Sequence, residues 1–238
     1  MPAFFSVLPF VLTMMAWCSS AKSIIGGTLT ILISFGVMTF ISSFISNVGN
    51  KRQNILFMVW GGAPTTMILR HSDPFLDQYT KQRYKKWLNM KVQGLEFPSL
   101  IEEENDPGDA DQKYESAINY LREYTRNKDK YPAVYRDNVG YGFSRNLLAI
   151  RLSGFLVALI SLGINIYFLW PNLNTDWEEN ISLVLRENLL GVGSGLVATI
   201  FMLTFWLVVN NDFVKERAFR YAKTLLECCE DVPRLSNE

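Results

Sequence analysis

Residues 24–45, IIGGTLTILISFGVMTFISSFI, run for 22 positions without a charged side chain. A helix rising about 1.5 Å per residue needs roughly 20 apolar residues to cross the hydrocarbon core of a bilayer, so such a run reads first as a membrane span. Two more blocks reach that length: Leu152–Trp170 with 19 residues and Leu189–Val209 with 21. A shorter block, Ala3–Trp17, carries Pro9 and is the fourth candidate. A signal peptide would open with basic residues, and nothing before Lys22 is charged, so this block is expected to be a retained span. The expected fold is an all-α polytopic membrane protein with four transmembrane helices and a helical cytoplasmic domain inserted between the second and third.

Lys and Arg set the orientation. Residues 47–151 hold 16 of them, with Lys51, Arg52, Arg145 and Arg151 close to the spans, and Lys215, Arg217, Arg220 and Lys223 follow the fourth block. The stretch PNLNTDWEENISLVLREN between the third and fourth blocks has one Arg against four acids, and Trp170 and Trp177 suit an interface there. The positive-inside rule puts this acidic loop outside and the middle domain and both termini in the cytoplasm. The expected divisions are 1–46, a first two-helix hairpin; 47–151, the cytoplasmic domain; 152–209, a second hairpin; and 210–238, a cytoplasmic tail. Basic and acidic residues balance at 23 each, so there is no global pull toward nucleic acid, and none is expected as a partner. Cys18, Cys228 and Cys229 have no metal or redox spacing.

Within 47–151, Ile55–Trp60 reads equally as a buried strand or as the tail of the preceding helix. Phe75 begins a helix to residue 91, with Leu76, Tyr79, Tyr84, Trp87 and Leu88 at helical spacing and Lys81, Arg83, Lys85 and Lys86 between them. Ser99 with Glu102 has the form of a capping box, and a further helix opens at Asp109 with Gln112 three residues on. That helix is expected to bury Tyr114, Ala117, Ile118 and Leu121, and Tyr124 beside them.

The segment WGGAPTTMILRHSD offers an anion cradle from Gly61, Gly62, Thr65 and Thr66, with Arg70 and His71 beyond it. No lysine follows in the position a P-loop requires, and a plain reading of the same residues is a Gly-Gly turn with Pro64 in a first helical turn and Thr65 as a cap. His71 is the chain's one histidine, so two-histidine phosphatase chemistry is excluded, and no Gly-x-Ser-x-Gly elbow is present. The acids Glu102, Glu103, Glu104, Asp106, Asp109 and Asp111 raise a metal site, but they depart from an EF-hand and lie where helix dipoles favour acids anyway. No cofactor is expected.

The 75–91 basic face reads as plain surface, as a lipid contact or as an anion site. Candidate contact residues for a ligand are Gly61, Gly62, Thr65, Thr66, Arg70, His71, Lys81, Arg83 and Arg145. In the spans, Gly191, Gly193, Gly195 and Ala198, with Gly154 and Ala158, form small-residue faces that permit close helix packing, within the chain or in a homo-oligomer. No span carries an ionisable residue in its interior, which disfavours an ion-coupled transporter, and Asn165 is the strongly polar side chain near mid-span.

The strings W-G-G-A-P-T-T, L-R-H-S-D, T-K-Q-R-Y, E-E-E-N-D-P-G-D-A-D, L-R-E-Y-T-R and N-V-G-Y-G-F-S-R-N-L-L, over residues 58–150, resemble an uncharacterised family of bacterial multi-pass inner-membrane proteins. The resemblance implies a bacterial inner membrane and supplies no activity. The expected function is a non-enzymatic sensor or effector whose cytoplasmic domain binds a protein partner or anionic ligand and alters packing of the bundle in the lipid bilayer. A role in a bacterial defence system is an analogy with modules of that form. The alternatives are an oligomeric channel or pore and a membrane-bound metal-dependent enzyme using the acidic cluster.

Overall fold

The computed structural model describes residues 2–18, 24–173 and 186–230, and of residues 24–38 only the backbone. All regular structure among the described residues is helical. In chain order the helices are α1 (Pro2–Trp17), α2 (Ile24–Trp60), α3 (Pro64–Met67), α4 (Gln78–Lys91), α5 (Leu100–Asn105), α6 (Pro107–Tyr124), α7 (Pro132–Ala149) and α8 (Arg151–Leu173). They continue with α9 (Leu189–Leu203), which runs into a π-turn at Thr204–Val208, and α10 (Asn211–Glu227) with a final 3-10 turn at Cys228–Glu230. The expected acidic loop, Trp177 included, falls for the most part on 174–185, outside the described residues.

The chain divides into two compact units. One comprises Met1–Arg52 and Phe143–Phe213, the other Gln53–Gly142 and Val214–Glu238. The segment read from the sequence as a separate tail thus belongs, from Val214 onward, with the middle of the chain.

In the first unit, α8 over Arg151–Pro171 and α9 with its π-turn over Leu189–Val208 are long and apolar enough to cross a membrane, and most of each faces outward. A core helix of a soluble protein would be buried instead. Leu152, Ile160, Tyr167 and Trp170 on α8, and Leu190, Leu196 and Ile200 on α9, are exposed, an apolar girdle that water would penalise. Helix α1 is apolar but 16 residues long, with Pro9 inside it. The second expected span lies in α2, a 37-residue helix that carries on without a break through NVGNKRQN to Trp60. Ile55–Trp60 is therefore the helix tail and not a strand. Gly49 is buried in that continuation because a side chain would meet the Asn146 amide, with a Cβ only 2.0 Å from its Oδ1.

One buried amide ties α1, α8 and α9 together. Asn165 Oδ1 accepts from Trp17 Nε1 at 2.8 Å and from Ser194 Oγ at 2.7 Å, while its Nδ2 donates to Thr13 Oγ1 at 2.9 Å and to Ser161 O at 2.8 Å. An apolar medium offers these groups no other partner, so helices that must bury an amide bury it against one another. Around it the small residues make room: a Cβ on Gly191 would lie 2.3 Å from Trp17, one on Gly154 2.4 Å from Phe205, and one on Gly195 3.5 Å from Asn165 Cβ. Ala158 and Ala198 are fully buried, whereas Gly193 has nothing within 4 Å. At the end of α9, the π-turn exposes carbonyls that Arg151 collects, Nε donating to Phe205 O at 3.0 Å and Nη2 to Trp206 O at 2.9 Å.

The second unit is built on α4, α6 and α10. Leu88, Tyr114, Ala117, Ile118, Leu121, Ala222, Leu225 and Leu226 are buried to within 1%. Tyr114, Ala117, Ile118 and Leu121 lie on the face of α6 that its helical spacing marks, and Tyr124 is half-buried, its ring against Trp87. Tail residues complete the packing: Tyr221 stacks on Tyr141, and Thr224 Oγ1 donates to Asp137 at 2.7 Å. The Ser99–Glu102 capping box is present in full. Helix α6 opens earlier than expected: its N-cap is Asp106, which accepts from Asp109 N, because Pro107 is free to take the first helical position.

Candidate functional site

Helix α2 stops at Gly61 and Gly62 because both adopt positive φ, 86° and 145°. Gly62 N–H donates to Phe57 O at 2.8 Å and Gly61 N–H to Met58 O at 3.4 Å, the paired closure of a Schellman motif. These two donors are spent on the helix's own carbonyls, so neither is offered to an anion. The N-cap of α3 is Ala63, with no side-chain cap, which corrects the expectation of a Thr65 cap. Thr65 and Thr66 are instead buried at 3% and 7% exposure, and Thr65 Oγ1 accepts from Arg122 at 3.3 Å. With α3 a single turn, its N-terminus gathers little dipole.

The absence of a side chain at Gly62 has a further use. A Cβ there would lie 2.8 Å from Arg70 Nη2. Arg70 folds across the turn and forks onto Asp111 of α6, Nε to Oδ1 at 2.8 Å and Nη2 to Oδ2 at 2.6 Å. That bond raises the Arg70 pKa further, so the guanidinium is a permanent charge.

Next to it the backbone N–H of His71 donates to both oxygens of Glu103, at 3.0 and 3.1 Å. Glu103 sits in the acidic string EEEND yet is 8% exposed, turned inward from the first turn of α5. Tyr114 Oη donates to Glu103 as well, and Lys85 Nζ donates to Tyr114 Oη at 3.1 Å. Lys81 Nζ reaches the carbonyls of Arg70, at 2.7 Å, and Asp73.

Lys81 and Lys85 are thus not on a solvated or lipid-facing basic face. They are 5% and 9% exposed and, with Tyr84 and Leu88, form the i, i+3, i+4, i+7 stripe that α4 buries. Tyr79, expected on the inner stripe, is outward at 77% exposure. The wheel of residues 78–91 admits both assignments, and the deciding factor is what the lysines meet: the Arg70 and Asp73 carbonyls at Lys81, and at Lys85 the Tyr114 hydroxyl that is bonded to Glu103. Burial pushes the Lys85 ammonium down to about 8 and lowers Lys81 in the same direction. Burial, helped by the Glu103 hydrogen bond, keeps the Tyr114 phenol protonated well above its ordinary range.

The structure therefore brings Arg70, His71 and Lys81 together with Lys85, Glu103, Asp111 and Tyr114. Arg83 points elsewhere, forking onto Glu230 at 2.7 and 3.0 Å, an exposed pair. Arg145 belongs to the first unit, where its Nε donates to Asn146 Oδ1 at 3.2 Å. Of the remaining acids, Glu102 is in the capping box, Asp106 is a cap, Asp109 pairs with Lys113 at 2.8 Å, and Glu104 lies exposed on α5. Among the described residues no three acidic, histidine or cysteine side chains gather as a metal site. Buried Cys229 is pushed up to about 12, so it is a thiol at neutral pH.

No protein-family model matches the chain, and neither the curated proteins nor the solved structures hold a match to it.

Proposed function

We propose that this chain is a four-span protein of a bacterial inner membrane with both termini in the cytoplasm, working as a non-enzymatic sensor or effector. Its second unit receives a protein partner or anionic ligand, and the bundle responds. The observation that carries the membrane part is the outward apolar surface of α8 and α9; Arg151 at the start of α8 and the Lys and Arg residues after the π-turn make those ends the cytoplasmic ones under the positive-inside rule. The bacterial setting rests on the resemblance of residues 58–150.

The non-enzymatic part is supported by the state of the ionic cluster. The Arg70, Glu103 and Lys81 charges are paired with Asp111 and with backbone, the condition of a group that holds a fold. Catalytic groups commonly face a cleft with a bond left to make.

Two measurements test this. In a cysteine-free background, Glu187→Cys should react with a membrane-impermeant maleimide added to intact cells, and Glu115→Cys should react only after permeabilisation; the reverse pattern sinks the topology. Native mass spectrometry of the full-length protein in lipid nanodiscs then addresses the role. A closed oligomer or a protein or anionic passenger supports the effector reading. Turnover of a co-purified small molecule refutes it.

A further inference from the structure

His71 Nε2 lies 3.0 Å from the carbonyl oxygen of Pro98 and 3.0 Å from Lys85 Nζ. A carbonyl can only accept, so the first contact needs a hydrogen on Nε2. An ammonium can only donate, so with Lys85 charged the second needs Nε2 bare. Both contacts hold together only when Lys85 is a neutral amine whose lone pair receives the Nε2 hydrogen alongside Pro98 O. We propose that His71 and Lys85 share one proton and that its transfer releases the Pro98 carbonyl, making residues 92–105 a proton-sensitive latch.

The proton balance is simple. In the closed arrangement Lys85 is –NH₂ and His71 carries its hydrogen on Nε2. On acidification the Nε2 hydrogen passes to Lys85 Nζ, forming –NH₃⁺, and Nδ1 takes one proton from water. One proton is absorbed overall. The imidazole tautomer is reversed, and Pro98 O now faces a nitrogen lone pair. Pro98 immediately precedes Ser99, the N-cap of α5, and α5 carries Glu103 into the cluster, so the repulsion falls on the start of that helix.

The charged and titratable groups packed around the pair are Lys81 on α4, Arg70 and Asp73 from the segment after α3, Glu103 from α5, and Tyr114 and Asp111 from α6. The Glu103 carboxylate favours a protonated Lys85, and Lys81 opposes it. Burial of Lys85 brings the exchange down to about 8 from the ordinary lysine range.

His71 is the chain's one histidine, so ring-¹⁵N spectra of full-length protein labelled at histidine, purified through a histidine-free tag and reconstituted in liposomes, report this pair alone. The expected result is the hydrogen on Nε2 at about pH 9.5 and on Nδ1 at about pH 7, on either side of the Lys85 titration. In Lys85→Met the hydrogen should stay on Nε2 at both values. Lys85→Arg, which keeps its charge throughout, should hold the Nδ1 form at both and provides the test if the Met variant does not fold. The same tautomer at both pH values in the wild type, an imidazolium at about pH 7, or a pH-driven exchange that survives either substitution would overturn the proposal.

Discussion

Arg70 reaches 41 residues along the chain to Asp111 and meets it with two near-parallel hydrogen bonds, 2.8 and 2.6 Å long, and it does so through space left by Gly62. Adding a methyl at Gly62 therefore does two things: it forces an L-residue to φ 145° and pushes on the guanidinium. Gly62→Ala is expected to lower the stability of the second unit by about 1–3 kcal/mol. Arg70→Lys, which keeps charge and loses the fork, should cost about 1 kcal/mol, since Asp111 is exposed enough to recover water. Chemical unfolding of the full-length protein, followed by Trp fluorescence, measures both; an unchanged midpoint in Gly62→Ala would show the turn to be pliable.

The Lys85 ammonium gives the second unit a pH dependence. Its folded value of about 8 lies below the ordinary 10.5, so between these the unfolded chain binds more protons than the folded one. Stability then rises as pH climbs from about 8 toward 10.5, and the charge is a full penalty below about 8. Each tenfold change in proton affinity is worth about 1.4 kcal/mol, which bounds the rise at a few kcal/mol. Above about pH 10 ionising tyrosines in the unfolded chain oppose it, because Tyr84 and Tyr114 resist ionisation when folded. Lys85→Met should flatten the rise between about pH 8 and 9.5 and leave stability at about pH 7 within about 1 kcal/mol of wild type or above it. A slope that persists in the variant would mean another group carries it.

Two glycines two residues apart in α9 should behave oppositely. Gly191 faces the Trp17 ring and Gly193 faces open space. Alanine is favoured over glycine inside a helix by about 1 kcal/mol, so Gly193→Ala should be neutral or stabilising. At Gly191 the same methyl overlaps the indole, and a loss of about 1–3 kcal/mol is expected. Thermal unfolding in bicelles separates the two. Equal effects would argue that α1 does not pack on α9 as described. Gly195 lies against Asn165 within the chain, so a bulky residue there disturbs the bundle itself and does not isolate a contact between copies.

Asn165→Val removes the amide that joins three helices. Trp17 Nε1 loses its acceptor, whereas Thr13 and Ser194 keep bonds to the carbonyls of Pro9 and Gly191. Interhelical hydrogen bonds in bilayers contribute about 0.6 kcal/mol on average and rarely above about 1.7, so a loss of about 1–2 kcal/mol is expected, read by reversible SDS unfolding. A gain would show that the amide is kept for something other than stability.

Helicity, the apolar blocks, the capping box at Ser99 and the buried face of α6 are all legible from residue order alone. Each depends on neighbours three or four positions away, or on a run of one kind of side chain, and such signals are local. The fate of α4 is of another kind. Its spacing allows either an aromatic stripe or a Lys81–Tyr84–Lys85–Leu88 stripe to face inward, and on composition alone the lysines belong outside. They are buried because the carbonyls of Arg70 and Asp73 reach Lys81, while Tyr114 reaches Lys85 and ties it to Glu103, from an acidic string that reads as surface, so that separate segments converge on α4. Ala198 and Gly191 likewise reveal from sequence that something packs closely against α9, and not that it is Trp17. Local order decides what a helix can present, while a buried charge is tolerated only where distant segments supply its partners, and that convergence exists only in the folded chain.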